Sequence, residues 1–400
     1  MSTQSTPRAP SSVLPEFGPL ARVYRERTVY AELWAGNGRK VIGCFGNDIP
    51  EELLIAGGFL PVRIFGDPMA DTSAGDLYLE RGVNPLMRAQ FSAIVEGKIS
   101  PLSRLVVSAS TDAHTRLFHY LRMIRAIEPH VPVPHLYFFD FLHSRTRNSA
   151  LYNRARTREL WQAVETWSGR TLSRDDVAVA VSRCNENRRL LRELDQLRTD
   201  PEGPRVSGTE ALQAAVSSLY MPKEEHSRLL KAFLDAARIR SPLQGLKVYI
   251  AGSPHDHSGF YELAESCGAV VVGENHEFGA RLYAGDVDLE TEDLIDALVD
   301  RYQLRPASTT QTGVREQVEY LVEEVKRTGA EAVVFYILDG DDAPSWDFPE
   351  QRKALRELGV PALLMDRQPF GPERQEEQRA RLKEFFRQAR NMRNSREDGR

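Results

Sequence analysis

The residues able to do chemistry in this 400-residue chain lie in short polar stretches that follow apolar runs. One stretch reads Ser-Pro-His-Asp-His-Ser over 253–258, and another reads Asn-His-Glu over 275–277. Imidazole and carboxylate are ordinary transition-metal ligands, which makes His255, His257 and His276, with Asp256 and Glu277, candidate metal ligands. Their spacing matches no defined metal motif, and a solvated loop has the same composition. Between 339 and 347, Asp339, Asp341, Asp342 and Asp347 could meet a hard cation, although Pro344 stands where a calcium loop needs glycine. Ser-Ala-Ser-Thr-Asp-Ala-His over 108–114 runs into a helical pattern at Thr115–Ile127. Ser110, Thr111 and Asp112 suit a helix N-cap, and a helix start attracts anions, so capping and substrate binding, with His114 alongside, both fit. Glu52 follows Pro50 in the first turn of a helix; it either complements the dipole or turns into a cleft as an acid or base. Arg63 and Arg88, each beside apolar residues, are candidates to pair with a substrate phosphate or carboxylate. Cys44, Cys184 and Cys267 form no Cys-x-x-Cys pair, so neither a zinc knuckle nor a disulfide framework is written here. There is also no glycine-rich nucleotide motif.

The elements that must position these stretches read as a parallel α/β chain, with short β-branched or aromatic runs between helical patterns. One set of runs falls at 41–45, 60–65, 105–110 and 135–139, and a second at 247–253, 269–273, 332–338 and 361–366. The sets resemble copies of one another about 200 residues apart, with helical patterns over 151–240 between them. The expected organisation is a tail at 1–18, an α/β domain at 19–150, a helical segment at 151–240, a second α/β domain at 241–392 and a charged tail at 393–400. Ligands of open parallel sheets sit beyond the carboxyl ends of the strands, so two such domains facing one another would place a site between them.

Composition narrows the class. Hydrophobic residues make up 41% and charged residues 27%, as in an ordinary soluble protein. A formal charge of −5 gives no basic surface for nucleic acid, and no apolar stretch reaches the roughly 18 residues of a membrane helix. With few cysteines and no signal peptide pattern, a cytoplasmic protein is expected.

Taken in order, these residues resemble the D-component family of 2-hydroxyacyl-CoA dehydratases, which includes benzoyl-CoA reductase subunits. The resemblance begins at Gly43-Cys-Phe-Gly-Asn-Asp-Ile-Pro-Glu-Glu-Leu-Leu-Ile-Ala-Gly-Gly-Phe-Leu-Pro-Val-Arg63. It continues at Asn84-Pro-Leu-Met-Arg-Ala-Gln-Phe, Val106-Val-Ser-Ala-Ser-Thr-Asp112, Ile250-Ala-Gly-Ser253, Gly279-Ala-Arg281 and Val334-Phe-Tyr-Ile-Leu338. It implies two flavodoxin-like domains with a helical portion, a homologous partner subunit or a second copy, an acyl-CoA substrate, and a 4Fe–4S cluster held by three cysteines in the interdomain cleft. Those cysteines would align with Asn84, Thr111 and Asp341, so the cluster ligands are substituted and no cofactor is expected. Three functions follow. The reading carried forward is a cluster-free dehydratase-family subunit that contributes an acyl-CoA cleft or scaffold to a complex. The alternatives are a separate enzyme using Asp341, Asp342, Thr111 and His114, with Glu52, for acid–base or metal chemistry, and a binding protein for a CoA ester or small anion.

Overall fold

A computed structural model describes residues 14–99, 101–308 and 311–397, with side chains to 394. Each apolar run forms a strand: β1 (Val41–Phe45), β2 (Leu60–Arg63), β3 (Arg104–Ser108) and β4 (His135–Phe139), then β5 (Leu246–Gly252), β6 (Ala269–Glu274), β7 (Ala332–Leu338) and β8 (Ala362–Gln368). All pairings are parallel, in the orders β2-β1-β3-β4 and β6-β5-β7-β8. This is the flavodoxin-like order repeated in two lobes. Helices cover both faces, which is why β1 and β7 are apolar without alternation and buried throughout.

In each lobe a glycine at the carboxyl end of the central strand turns the chain into the interlobe space. Gly46 has φ +107°, and a Cβ there would lie 2.1 Å from Ser108 Oγ. Gly252 has φ +112°, and its Cβ would lie 2.4 Å from the Tyr336 carbonyl oxygen. Any side chain would meet both an unfavourable backbone conformation and an occupied space.

The expected helical segment is four helices, Arg147–Ser168, Arg174–Arg198, Gly208–Ser217 and Lys223–Arg238. Ser173 with Asp176, and Ser207 with Glu210, start two of them with reciprocal capping bonds. The long helix Arg174–Arg198 joins the lobes. Its buried face carries Val177, Val181, Leu190, Leu191 and Leu194, and also two arginines about 15 Å apart along its axis. Arg188 pairs with Glu52 of the first lobe. Arg198 pairs with Glu274 of the second at 2.5 Å. One apolar cluster runs from Leu60 and Val62 through Leu212 and Val216 to Val248 and Val334, so lobes and helices share a core.

Both expected tails are shorter than the sequence suggests. Residues 1–13 and 398–400 lie outside the described residues. Pro15–Phe17 and Gly18–Arg25 are helical, with Phe17 packed on Phe233 at a ring separation of 5.0 Å. Residues 393–397 complete the helix Gln375–Glu397, which seats Leu382 and Phe386 in the second lobe, and Arg393 pairs with Glu331 at 2.7 Å. The apolar residues of these end segments hold them in the fold.

Candidate functional site

A cavity of about 420 Å³ lies between the lobes, at the carboxyl ends of both sheets. The turn after β1 contributes Gly46 and Asn47, the end of β2 Arg63, and the loop after β3 Ala109 to His114. From the second lobe come Gly252 and Pro254 after β5, Asn275 to Phe278 after β6, and Leu338, Gly340 and Asp341 after β7. The lobes touch at its edge. A Cβ on Gly340 would lie 3.4 Å from the Asn84 α-carbon.

Asn84, Thr111 and Asp341 all line this one cavity. Asn84 caps the helix Pro85–Val95, its Oδ1 accepting the Met87 N–H at 2.9 Å. Thr111 caps Asp112–Ile127, accepting from the His114 N–H at 3.3 Å, and its hydroxyl meets His114 Nδ1 at 2.8 Å. Asp341 accepts a hydrogen bond from Ser253 Oγ at 2.5 Å. Thus the three positions present an amide, a hydroxyl and a carboxylate, each already hydrogen-bonded, where an iron–sulfur cluster takes thiolates. Cys44, Cys184 and Cys267 are buried thiols elsewhere. Cys44 lies inside β1, and burial pushes its thiol up to about 12. The donor set does not fit the implied cluster.

Two titrating groups on the cavity wall are displaced in opposite senses. Burial holds His114 down to about 4, with the Arg63 charge acting the same way and Asp48 opposing it, so the imidazole is held neutral. Burial raises the Asp341 carboxyl, as do Glu277 and Asp342, while the Ser253 hydrogen bond opposes the rise. Ser110 is buried, meets Ser108 Oγ at 2.6 Å and accepts the Asn47 N–H at 2.9 Å. Asp112 lies at the rim, exposed. Among the described residues the Arg63 guanidinium has no ion-pair or hydrogen-bond partner, and it lies 6.0 Å from the Phe278 ring centre.

Other expected residues are placed away from the cavity. Glu52 does not turn into the cleft; it is fully buried against Arg188 and accepts from Tyr302 Oη at 3.0 Å. The two partners arrive from helices remote in sequence and take both its oxygens. Pro50 occupies the N-cap of its short helix rather than the first turn. Arg88 stays in its own lobe, on Asp76 and the Glu80 carbonyl. Asp342 is exposed at a helix start. Two of the three histidines stay together, the His255 and His276 rings lying 5.4 Å apart, while His257 turns away to Asp256. His255 packs among Phe260, Tyr261 and Tyr336, His257 Nδ1 meets Asp256 Oδ1 at 2.8 Å, and His276, at the cavity edge, meets Tyr261 Oη through Nε2 at 2.8 Å. Among the described residues no three histidine, cysteine or acidic side chains are grouped to hold a metal ion.

Sequence reasoning missed Asp48. It is wholly buried, and although burial alone would raise it, His143 Nε2 at 3.0 Å and Arg305 at 3.8 Å hold its carboxyl well below the usual range. Those partners lie about 95 and 257 residues away, and no local pattern signals them.

Two parallel α/β lobes bridged by helices, with a site shared between their strand ends, define the class of protein. The family follows from comparison: a model of the 2-hydroxyglutaryl-CoA dehydratase D-component matches residues 47–388, and the chain belongs to that family. The chain is 21% identical to the (R)-phenyllactyl-CoA dehydratase beta subunit of Clostridium sporogenes, over 82% of this chain and 86% of that protein. It is 24% identical to the lactoyl-CoA dehydratase subunit beta of Anaerotignum propionicum, over 83% and 87%. It is 22% identical to a benzoyl-CoA reductase subunit of Thauera aromatica, over 74% and 77%. No helix among the described residues is long and apolar enough to cross a membrane.

Proposed function

We propose that the chain is a cluster-free subunit of a 2-hydroxyacyl-CoA dehydratase-type complex, and that its interlobe cavity receives an acyl-CoA thioester. The observation that carries this reading is the convergence of Asn84, Thr111 and Asp341 on that cavity, each with its polar group committed to a hydrogen bond within the protein. The names of the relatives, beta subunits of acyl-CoA dehydratases and a benzoyl-CoA reductase subunit, support both the subunit role and the substrate class. The paired subunit would be a cysteine-bearing homologue, which supplies the thiolates this chain lacks. The side chains around the cavity suit such a ligand. Arg63 offers a cation to the anionic phosphates of CoA, and His114 and Asp341 place a neutral imidazole and a carboxyl of raised proton affinity on opposite walls.

The test is anaerobic purification followed by reconstitution with iron and sulfide, metal analysis, and titration with acetyl-CoA. The expected result is no iron–sulfur absorbance together with saturable acetyl-CoA binding that weakens in Arg63→Glu. About four irons per chain would overturn the cluster-free assignment. Absence of saturable binding, alone and with a cysteine-bearing homologue, would overturn the substrate assignment.

A further inference from the structure

Beside the large cavity lies a second, smaller one of about 20 Å³, which shares Asn47 and Arg63 with its neighbour. Its walls are unusually cationic. Arg188, Arg301 and Arg305 join Arg63 around it, and Lys223 stands behind, 2.8 Å from Glu51. The carboxylates nearby are Glu51, Glu52 and Asp48, so five cations face three anions and two positive charges have no counterpart. Arg188 and Lys223 account for Glu52 and Glu51, and His143 shares Asp48 with Arg305.

The unmatched charge resides on Arg63 and Arg301. Arg301 is 7% exposed, donates once, to the Leu282 carbonyl at 2.9 Å, and leaves Nε and Nη1 without partners. Arg305 leaves its Nε unpartnered as well. Burial and the neighbouring Arg188 and Arg305 charges lower Arg301 to about 9, so it still carries its charge at pH 7. Buried guanidinium groups without acceptors are costly, and an anion is the species that would satisfy them.

From this geometry we infer that the small cavity is a seat for a monoanion, held between Arg63, Arg301 and Arg305. Size selects the class: a space of this volume holds one or two water-sized groups, which admits a single halide ion or the two oxygens of a carboxylate whose remainder stays outside, but not the four oxygens of a phosphate. The two sources share one chemistry, a single compact negative charge. Arg63 is shared with the larger cavity, whereas Arg301 and Arg305 line the small one and not the larger.

Calorimetric titration of the full chain in low-salt buffer, with sodium acetate, sodium chloride and sodium phosphate at matched ionic strength, tests it. Acetate is expected to saturate a single site, with phosphate at least about tenfold weaker, and Arg301→Gln to lose at least about tenfold in acetate affinity. Arg63→Gln, at a half-buried position less able to disturb folding, is expected to lose a similar factor. Saturable binding of acetate alone identifies a carboxylate seat, and competition by chloride identifies a halide that can occupy it. No saturable binding of either, phosphate binding as tightly as acetate, or affinity unchanged in both variants overturns the inference. Acetyl-CoA binding that persists in any of those cases leaves the reading of the larger cavity untouched.

Discussion

The loop after β3 and the loop after β7 stand at equivalent places in two sheets of the same strand order, yet they present opposite chemistry to the shared cavity. In the first lobe the tie between neighbouring strand ends is neutral: the Asn47 N–H donates to Ser110, and His114 beside it resists protonation. In the second lobe the tie is acidic: Ser253 donates to Asp341, whose carboxyl resists ionisation. The two lobes share what the backbone requires, the strand order and the left-handed glycines Gly46 and Gly252. They differ in what the strand ends carry, because side chains there are not needed to close the sheet.

The largest expected effects come from the long helix, which clamps each lobe through one buried arginine. Removing one partner of a buried pair strands the other charge, at about 3–5 kcal/mol. Both Glu52→Ala and Glu274→Ala are expected in that range, with Glu274→Ala the worse. Glu274 gives Arg198 two bonds, at 2.5 and 3.1 Å, and also accepts the Ala280 N–H. After Glu52→Ala, Arg188 keeps Asn185 Oδ1 at 2.9 Å and Glu51 at 4.0 Å, whereas after Glu274→Ala, Arg198 keeps only longer bonds, to Asp195 Oδ1 at 3.4 Å and the Val271 carbonyl at 3.3 Å. Urea unfolding of the three proteins orders them. A larger loss at Glu52 would mean that the first lobe depends on its clamp more than the second.

Next in size is the acid response of the first lobe. An unfolded chain binds a proton at His114 near pH 6.5, and the folded one only near 4. Between those values the unfolded state holds more protons, so stability falls as pH falls through the window. At 1.36 kcal/mol per unit the full loss is about 3 kcal/mol by pH 4. His114→Gln removes that component and is expected to flatten the decline in unfolding free energy between pH 7 and 4.5. Part of the slope remains, because His226, lowered to about 3 by burial, titrates in the same sense elsewhere. Identical slopes in variant and parent would show that His114 is solvated in the cavity.

Much of this architecture was legible because local rules dictate it. Val41–Phe45, His135–Phe139 and Ala332–Leu338 are strands at the predicted residues, since continuous β-branched and aromatic runs between glycine or polar turns have few other stable uses. The loops that line the cavity follow from the rule about strand ends, which covers Ser110, Thr111, His114 and Asp341, while Arg63 stands out as an arginine beside apolar residues. Pairings between distant segments were not legible. Glu52 looks like any acid in a first helical turn, and only Arg188, 136 residues on, decides that it is structural. Arg301 and Arg305 read as parts of a helix end, and their convergence with Arg63 depends on how the second lobe docks on the first. Of the histidines at 255, 257 and 276, the first and last face one another at 5.4 Å, whereas His257, two residues from His255, turns to Asp256, because neighbours in sequence can point to different surroundings when a loop leaves a strand.

The smallest effect is also the sharpest test of the contrast between lobes. The Asp341 carboxyl, raised chiefly by burial, keeps its proton in the folded state over a range where the unfolded chain has already lost it. Stability from this group is therefore fully present below the ordinary carboxylate range and is lost as pH rises through the raised value. Asp341→Asn cannot ionise, and its amide oxygen can still accept from Ser253, so the variant escapes the loss. The expected outcome is that Asp341→Asn matches the parent in thermal midpoint near pH 3 and exceeds it above the window, the gap widening and then levelling as pH rises. His114→Gln runs the other way, gaining on the parent only as pH falls. A protein in which both variants shifted the balance in the same direction would have two walls of one electrostatic character. Opposite signs would establish that the cavity holds an imidazole from one lobe that resists protonation facing a carboxyl from the other that resists ionisation, each displaced mainly by the burial that packing imposes at its strand end.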